Sequence, residues 1–122
     1  MRVSTHIDSS VDEIVSNQVL EHEFNLVCAE IEKLSSQRQK VPEELEDLKN
    51  SYQIKMNMLV AMVQTGALTM EKYVSQVEES IEWTKKMALS FKKAGRIDEA
   101  RKAMIRVKLM TQEVEETRQA DQ

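Results

Sequence analysis

The residues best suited to bind a metal ion lie close together in the first third of the chain, at Glu21, His22, Glu23 and Cys28. A helix directs consecutive side chains away from one another, whereas metal ligands on one helix need i, i+3 or i+4 spacing. Cys28 adjoins an apolar stripe and is expected to be a buried small hydrophobe. No glycine-rich phosphate loop occurs, and no nucleophile is spaced to meet a general base. We therefore expect no metal, no cofactor, no catalytic residue and no enzymatic activity.

Charge is more informative, because basic residues are concentrated in one segment. Residues 85–108 contain nine basic residues against two acidic ones, a local net charge of +7 in a chain whose net charge is −4. Residues seven apart share a helix face, so these cations are expected to form one partner-binding surface. That surface would attract an acidic protein segment, an anionic membrane or nucleic acid; the plainer alternative is a solvated face that balances the acidic remainder. The nine residues are Lys85, Lys86, Lys92, Lys93, Arg96, Arg101, Lys102, Arg106 and Lys108.

Composition limits the class of fold. The chain has 122 residues, of which 41% are hydrophobic and 31% charged, with 2 Gly, 1 Pro and 1 Cys. So little Gly and Pro argues against a β-sandwich or barrel, whose turns need both, and indicates an all-α protein. A single Cys excludes a disulfide framework and favours a reducing compartment. No apolar run reaches the roughly 18 residues of a membrane span, and the first residues lack the apolar core of a signal peptide, so a cytoplasmic location is expected.

Three breaks divide the sequence into four predicted helices. Pro42 suits the first turn of a helix, and Gly66 and Gly95 suit left-handed helix ends. Ser10 and Glu13 have the spacing of a capping box at the start of the first helix. The helices are predicted over residues 10–37, 42–64, 69–94 and 98–117. The predicted architecture is an antiparallel coiled-coil hairpin at 10–64 and a shorter, basic helix-turn-helix hairpin at 69–118, with flexible ends at 1–9 and 119–122.

The seam of the first hairpin is predicted by apolar residues in steps of four and three, as in the a/d stripe of a coiled coil. These residues are Leu20, Phe24, Val27, Ile31, Leu34, Leu45, Leu48, Tyr52, Leu59 and Met62. Pro42 leaves two arrangements open: a sharp hairpin whose helices pair with each other, or a kink in one long helix that pairs with another chain. We favour the hairpin, because residues 35–40 are polar and suit a connection. A homodimer is a further expectation, because one hairpin offers too narrow a seam for helices of this length.

The second hairpin carries two apolar stripes and the only tryptophan. The stripe of the third helix comprises Val74, Val77, Ile81, Ala88 and Phe91, and that of the fourth Ile97, Ala100, Met104, Val107 and Val114. The short turn at Gly95 makes the two helices antiparallel neighbours. Trp83 is expected to anchor the core; were it exposed, it would be the first candidate for a binding contact.

A lysine-rich helix, the Gly95 turn and a second helix rich in Ala, Arg and Lys follow one another over residues 79–115. This pattern resembles one tetratricopeptide-like hairpin. It is still more similar to the basic segments of the lethal giant discs family of coiled-coil and C2-domain proteins. That resemblance implies a hairpin that binds an acidic helix of an ESCRT-III-type partner. The residues that it implies are Lys92, Lys93, Arg101 and Lys102.

Together these features predict a non-catalytic interaction or scaffold module. The coiled coil would serve assembly, and the basic hairpin would dock an acidic protein segment or helix. The resemblance favours endosomal or membrane trafficking as the setting, and a cytoskeletal or centrosomal scaffold is the alternative. Nucleic-acid binding is disfavoured by the acidic chain and by the lack of aromatic residues between the lysines. Direct membrane binding is disfavoured because no exposed bulky apolar face is expected, so that any membrane association would be indirect.

Overall fold

The chain is helical throughout most of the part that the structure describes. This computed structural model describes the backbone of residues 9–120 and the side chains of residues 11–120. The helices are α1 (Ser9–Asp12), α2 (Asn17–Ser36), α3 (Glu43–Gln64), α4 (Met70–Lys93) and α5 (Ile97–Ala120). The predicted all-α fold with helical hairpins is therefore confirmed. Residues 1–8 and 121–122, which make up most of the ends predicted to be flexible, lie outside the described residues.

Two compact units make up the chain, Met1–Thr65 and Gly66–Gln122. In the first unit α2 packs along α3, and the short α1 packs against α3 as well. In the second unit α4 packs along α5. Between residues 9 and 120 no helix combines the length and the apolar content that crossing a membrane requires.

The start of the first long helix differs from the prediction, because Ser16 caps it instead of Ser10. Ser16 has extended backbone angles (φ −91°, ψ 125°), and its Oγ accepts a hydrogen bond of 3.2 Å from the amide of Val19. A buried serine at this position satisfies a free amide of the first turn, so α2 begins here. The preceding turn buries Val11 and Ile14, which are 0% and 4% exposed. The predicted single helix over residues 10–37 is therefore wrong at its N-terminal end.

The connection at Pro42 is a sharp turn, so the kinked long helix is excluded and the hairpin is confirmed. Arg38 adopts a left-handed conformation (φ 58°), and the amide of Gln39 donates to the carbonyl of Leu34 at 2.9 Å, which closes the end of α2. Pro42 then precedes α3 with extended angles (φ −60°, ψ 141°). Three acidic residues occupy the first turn of α3, where the helix dipole favours negative charge. They are Glu43, Glu44 and Glu46.

Most of the predicted seam lies on the covered sides of α2 and α3. Leu20, Val27 and Tyr52 are buried. Six others are half-buried: Phe24, Ile31, Leu34, Leu45, Leu48 and Leu59. Met62 is 42% exposed, so its place in the seam is wrong. Tyr52 Oη donates to the Glu23 carboxylate at 2.8 Å, which indicates the antiparallel register of α2 and α3. In that register Met62 lies opposite residue 13, which precedes the start of α2 at Asn17.

The second hairpin follows its predicted bounds closely, but the prediction that it is the shorter one is wrong: α4 and α5 have 24 residues each, whereas α2 and α3 have 20 and 22. Thr69 caps α4, its Oγ1 accepting from the amide of Lys72 at 3.2 Å. Gly95 (φ 78°) provides the left-handed residue of the turn, and the amide of Arg96 donates to the carbonyl of Phe91 at 2.8 Å. α5 continues to Ala120, three residues beyond its predicted end at 117.

The buried side of α5 differs from the predicted stripe. Ile97 and Met104 are 50% and 51% exposed, and Ala100 is half-buried, so these three assignments are wrong or incomplete. The buried residues are Ala103, Val107, Met110, Glu113 and Val114. Ala103 and the buried Ala88 of α4 are both small, which permits a shorter distance between the helix axes than Met104 would allow.

Candidate protein-docking surface

Two contacts between α4 and α5 mark the two edges of the second hairpin. Arg118 forms an ion pair with Glu78 on one edge. Tyr73 Oη donates a hydrogen bond to the Glu113 carboxylate on the other. Tyr73 and Glu78 are five residues apart, which is about 140° around the helix, so they flank the buried side from opposite directions. Because seven residues make nearly two whole turns, heptad steps from these contacts show which residues share each edge.

The first edge combines exposed lysines with exposed apolar side chains. Heptad steps from Glu78 along α4 lead to Lys85 and Lys92, both exposed. Heptad steps back from Arg118 along α5 lead to Thr111, then Met104 and Ile97, which are half exposed. Leu89, 54% exposed, lies one turn from each of the two lysines. Lys85, Leu89, Lys92, Ile97 and Met104 are called the docking edge below.

Two acidic residues adjoin the docking edge, of which Glu78 is paired with Arg118 and Glu82 with Lys85. The Glu82 carboxylate lies 3.6 Å from Lys85 Nζ. Both side chains are more than half exposed, and such surface pairs contribute little. The lysines can therefore exchange this contact for a carboxylate on a partner. The expectation that the hairpin lacks an exposed bulky apolar face is wrong, since Leu89, Ile97 and Met104 provide one.

The second edge carries the tryptophan. Heptad steps from Tyr73 lead to Ser80 and Met87, and Trp83 lies one turn from both. Trp83 is 53% exposed, so the expectation that it anchors the core is wrong. Ile81 and Thr84 are buried and face α5, so Trp83, which lies between them in the sequence, points to the flank of α4. Heptad steps back from Glu113 lead to the half-buried Arg106, with the exposed Lys102 one turn away.

The nine basic residues therefore do not form one surface. Lys85 and Lys92 lie on the docking edge, whereas Lys102 and Arg106 lie on the second edge. Lys86 is two positions from the buried Thr84 and Ala88, about 200° around the helix, so it points outward from α4, as does Lys93 seven residues later. Arg101 and Lys108 each stand two positions before a buried residue of α5 and point outward in the same way. Consecutive residues in a helix diverge by about 100°, which distributes a dense charge run over every exposed side.

The ninth basic residue stabilises the turn. Arg96 donates from Nε and Nη2 to the two carboxylate oxygens of Glu99, each at 2.5 Å. Its guanidinium carbon lies 5.1 Å from the centre of the Phe91 ring, within the range of a cation–π contact. Arg96 thus joins the end of α4 to the start of α5 and is engaged within the hairpin.

The early cluster of metal-binding residue types is dispersed on α2. Glu21 is exposed, and His22, Glu23 and Cys28 are half-buried, so Cys28 is less covered than expected. Glu23 accepts the hydrogen bond from Tyr52. Within the described residues, no three His, Cys, Asp or Glu side chains converge in a way that could hold a metal ion.

No family model matches the chain, and no curated protein or solved structure matches it. The function is therefore argued from the geometry of the second hairpin.

Proposed function

We propose that this protein is a non-catalytic interaction module whose second unit docks an acidic amphipathic helix along the docking edge. One observation carries the proposal: Lys85 and Lys92 share an edge of the α4–α5 hairpin with three large apolar side chains that are each about half exposed. Exposed apolar side chains next to several charges of one sign are typical of a surface that binds a partner of the opposite charge.

The spacing along α4 fits a helical partner. Lys85 and Lys92 are about 10.5 Å apart along the helix axis, the distance covered by two turns of a partner helix. Glutamates seven residues apart on that partner would reach both lysines. Leucines at three- and four-residue spacing between them would contact Leu89 and Met104. Charge pairing then sets partner choice and association rate, while apolar burial supplies affinity.

The shape of the surface favours a helix over a bilayer. Leu89 lies in a narrow strip with lysines on both sides, because Lys85 and Lys92 toward α5 and Lys86 and Lys93 on the outward side are each three or four residues from it. An interfacial helix instead needs its apolar side directed away from the protein, so that it can enter a flat lipid surface. A single helix can cover this narrow strip and place its own carboxylates beside the flanking lysines.

We place this docking activity in membrane trafficking, on the resemblance of residues 79–115 to the basic segments of the lethal giant discs family. An acidic helix of an ESCRT-III-type partner has the chemistry that the docking edge would bind. A cytoskeletal or centrosomal scaffold is the alternative setting, supported by the α2–α3 coiled-coil hairpin.

A synthetic peptide tests the proposal directly. The probe is a fluorescein-labelled amphipathic helix with leucines at three- and four-residue spacing and glutamates on both flanks of the leucine stripe. Fluorescence anisotropy should show saturable binding to the full chain that weakens as NaCl is raised. Lys85→Glu combined with Lys92→Glu should raise the dissociation constant by about tenfold, because two attractive pairs become repulsive.

The chain offers a matched control. Lys86→Glu combined with Lys93→Glu makes the same charge change at the same spacing, but on the outward side of α4. This control should weaken binding less than the Lys85 and Lys92 pair does, because Lys86 and Lys93 border Leu89 but point away from Ile97 and Met104 on α5. Equal weakening by both pairs would show a general charge effect and contradict the docking edge. Loss of binding on Trp83→Ala, with none on Leu89→Ala, would move the site to the second edge.

Other ligands serve as further arms of the same test. Vesicles of phosphatidylserine and phosphatidylcholine, and a short duplex DNA, are titrated under the same salt conditions. Tighter binding to either than to the peptide, with the same dependence on Lys85 and Lys92, would overturn the proposal in favour of a membrane or nucleic-acid ligand. A peptide with lysines in place of the glutamates should not bind.

A further inference from the structure

The C-terminal half of α3 is apolar on nearly every side, and much of it is exposed. Residues 56–70 contain no Asp, Glu, Lys, Arg or His, in a chain that is 31% charged. The large exposed side chains are Ile54 (47%), Met58 (49%), Val60 (50%), Met62 (42%) and Val63 (38%). A helix that is apolar on all sides is normally buried, so we infer that another protein surface covers this part of α3.

The α2–α3 hairpin itself does not supply that cover. The register given by Tyr52 and Glu23 places the last turns of α3 beyond the start of α2. The short turn of α1 reaches the neighbouring part of α3, where Lys55 Nζ donates to the Asp12 carbonyl at 3.1 Å and lies 3.7 Å from its carboxylate. Met58 and Met62 remain half exposed beside this contact.

We propose that this surface, consisting of Ile54, Met58 and Met62 on α3, pairs with the same surface of a second copy of the chain. A two-fold interface joins a surface to the same surface of a second copy, so a patch that carries charge of one sign repels itself across the interface whereas an uncharged patch does not. Of the exposed apolar surfaces on the described residues, the docking edge is rich in lysine and would repel a copy of itself. From Met56 to its end at Gln64, α3 carries no charge to oppose self-association, and the adjoining Lys55 is paired with Asp12.

The spacing of the three residues defines the geometry. Ile54, Met58 and Met62 are four residues apart and form one ridge of α3. Two such ridges packed antiparallel about a two-fold axis at Met58 bring Met58 against its own copy. Ile54 of one copy then meets Met62 of the other. Methionine side chains adapt to such a contact with little strain.

The oligomeric state tests this interface. Sedimentation velocity of the full chain over a wide concentration range should show a species of twice the 14.1 kDa chain mass. Met58→Glu should raise the dimer dissociation constant by at least about a hundredfold, since it places two carboxylates together on the axis. Leu26→Glu is the matched control: Leu26 is an apolar residue of α2 with 58% exposure, and this variant should dimerise like the wild type.

A charge-swap experiment separates loss of the interface from loss of the fold. Met58→Glu and Met58→Lys should each be monomeric alone, and mixing them should restore a dimer that contains one of each. Such rescue requires both variants to be folded and position 58 to face itself. A wild-type monomer at every concentration would overturn the proposal and show that another segment or another protein covers α3. A dimer that survives Met58→Glu, or a mixture that stays monomeric, would overturn it as well.

The two proposals fail independently. Met58→Glu should leave binding of the glutamate–leucine peptide unchanged for each chain, because the docking edge lies on α4 and α5. Lys85→Glu combined with Lys92→Glu should leave the dimer intact. Loss of the dimer in the lysine variant would place self-association on the second unit and contradict the α3 interface.

Discussion

Tyr73 Oη donates a hydrogen bond to the Glu113 carboxylate across the α4–α5 hairpin, and both residues are buried, with 6% and 8% exposure. The two residues are 40 positions apart in the chain. A buried carboxylate lowers the stability of the fold unless it accepts a hydrogen bond. Sliding α5 by one turn along α4 would separate Glu113 from Tyr73 and leave the carboxylate without this bond. This contact therefore helps to set the register on which the composition of the docking edge depends.

Removing the tyrosine hydroxyl should destabilise the second unit. Tyr73→Phe is expected to lower the free energy of unfolding by about 1–3 kcal/mol, because the buried Glu113 loses a hydrogen-bond donor. Urea unfolding followed by far-UV circular dichroism measures it. Tyr73→Phe combined with Glu113→Leu should recover part of the loss, since both polar partners are then removed. Unfolding midpoints equal to the wild type for Tyr73→Phe would refute this account.

The serine cap of α2 should contribute measurably to the first unit. Ser16→Ala is expected to cost about 1 kcal/mol, because the Val19 amide loses its acceptor in a buried position. Amide hydrogen exchange of Val19 and thermal unfolding by far-UV circular dichroism measure the effect. Thr69→Ala removes a comparable but exposed cap from α4 and should cost less, because water can replace the hydroxyl. A larger loss for Thr69→Ala than for Ser16→Ala would contradict this ranking.

Trp83 should behave as a surface residue. With 53% exposure, Trp83→Ala is expected to change the free energy of unfolding by less than about 0.5 kcal/mol. The matched change at a buried apolar position of the same helix, Ile81→Ala, should cost about 2–5 kcal/mol. The tryptophan emission should be red-shifted and readily quenched by acrylamide. A blue-shifted emission that acrylamide does not quench would show that Trp83 is covered in solution.

Two of the left-handed turn residues, Gly95 and Arg38, should respond in opposite directions to substitution. Gly95→Ala is expected to cost about 1–2 kcal/mol, because alanine is strained at φ 78° even though no atom lies within 4 Å of an added Cβ. Arg38→Gly should relieve strain at φ 58° and stabilise the first hairpin by a smaller amount, offset by the greater freedom of glycine in the unfolded chain. Thermal unfolding of both variants checks the signs, and a stabilising Gly95→Ala would contradict the backbone argument.

Local chemistry explains why so much of the fold could be predicted. Three residues set helix boundaries through local backbone geometry and hydrogen bonds: the proline before α3, the threonine at the start of α4 and the glycine between α4 and α5. Each of these boundaries was predicted to within a few residues. The exception, the cap at Ser16, shows how two local signals compete. Ser10 and Glu13 have the spacing of a capping box, yet the burial of Val11 and Ile14 favours a turn before Ser16.

The candidate site was predicted less well than the fold. The net charge of residues 85–108 indicated that the second hairpin is the candidate binding unit, but it did not indicate which edge of the hairpin would contact a partner. Seven-residue spacing correctly pairs Lys85 with Lys92, yet it cannot show which apolar residues stand across the groove from them. Exposure of Ile97 and Met104 was missed, because the apolar residues of α5 permit two stripes, one through Met104 and one through Ala103.

What the sequence determined by itself is therefore the helical class, the positions of most helix ends and the presence of two hairpins, because these follow from backbone propensities and local hydrogen bonds. The tertiary structure decided which side of each helix is covered. That choice depends on helix register, shown by Tyr73 with Glu113 and by Tyr52 with Glu23, and on the close approach permitted by small residues such as Ala88. Burial is a property of two surfaces in contact, and the pattern along one helix specifies only one of them.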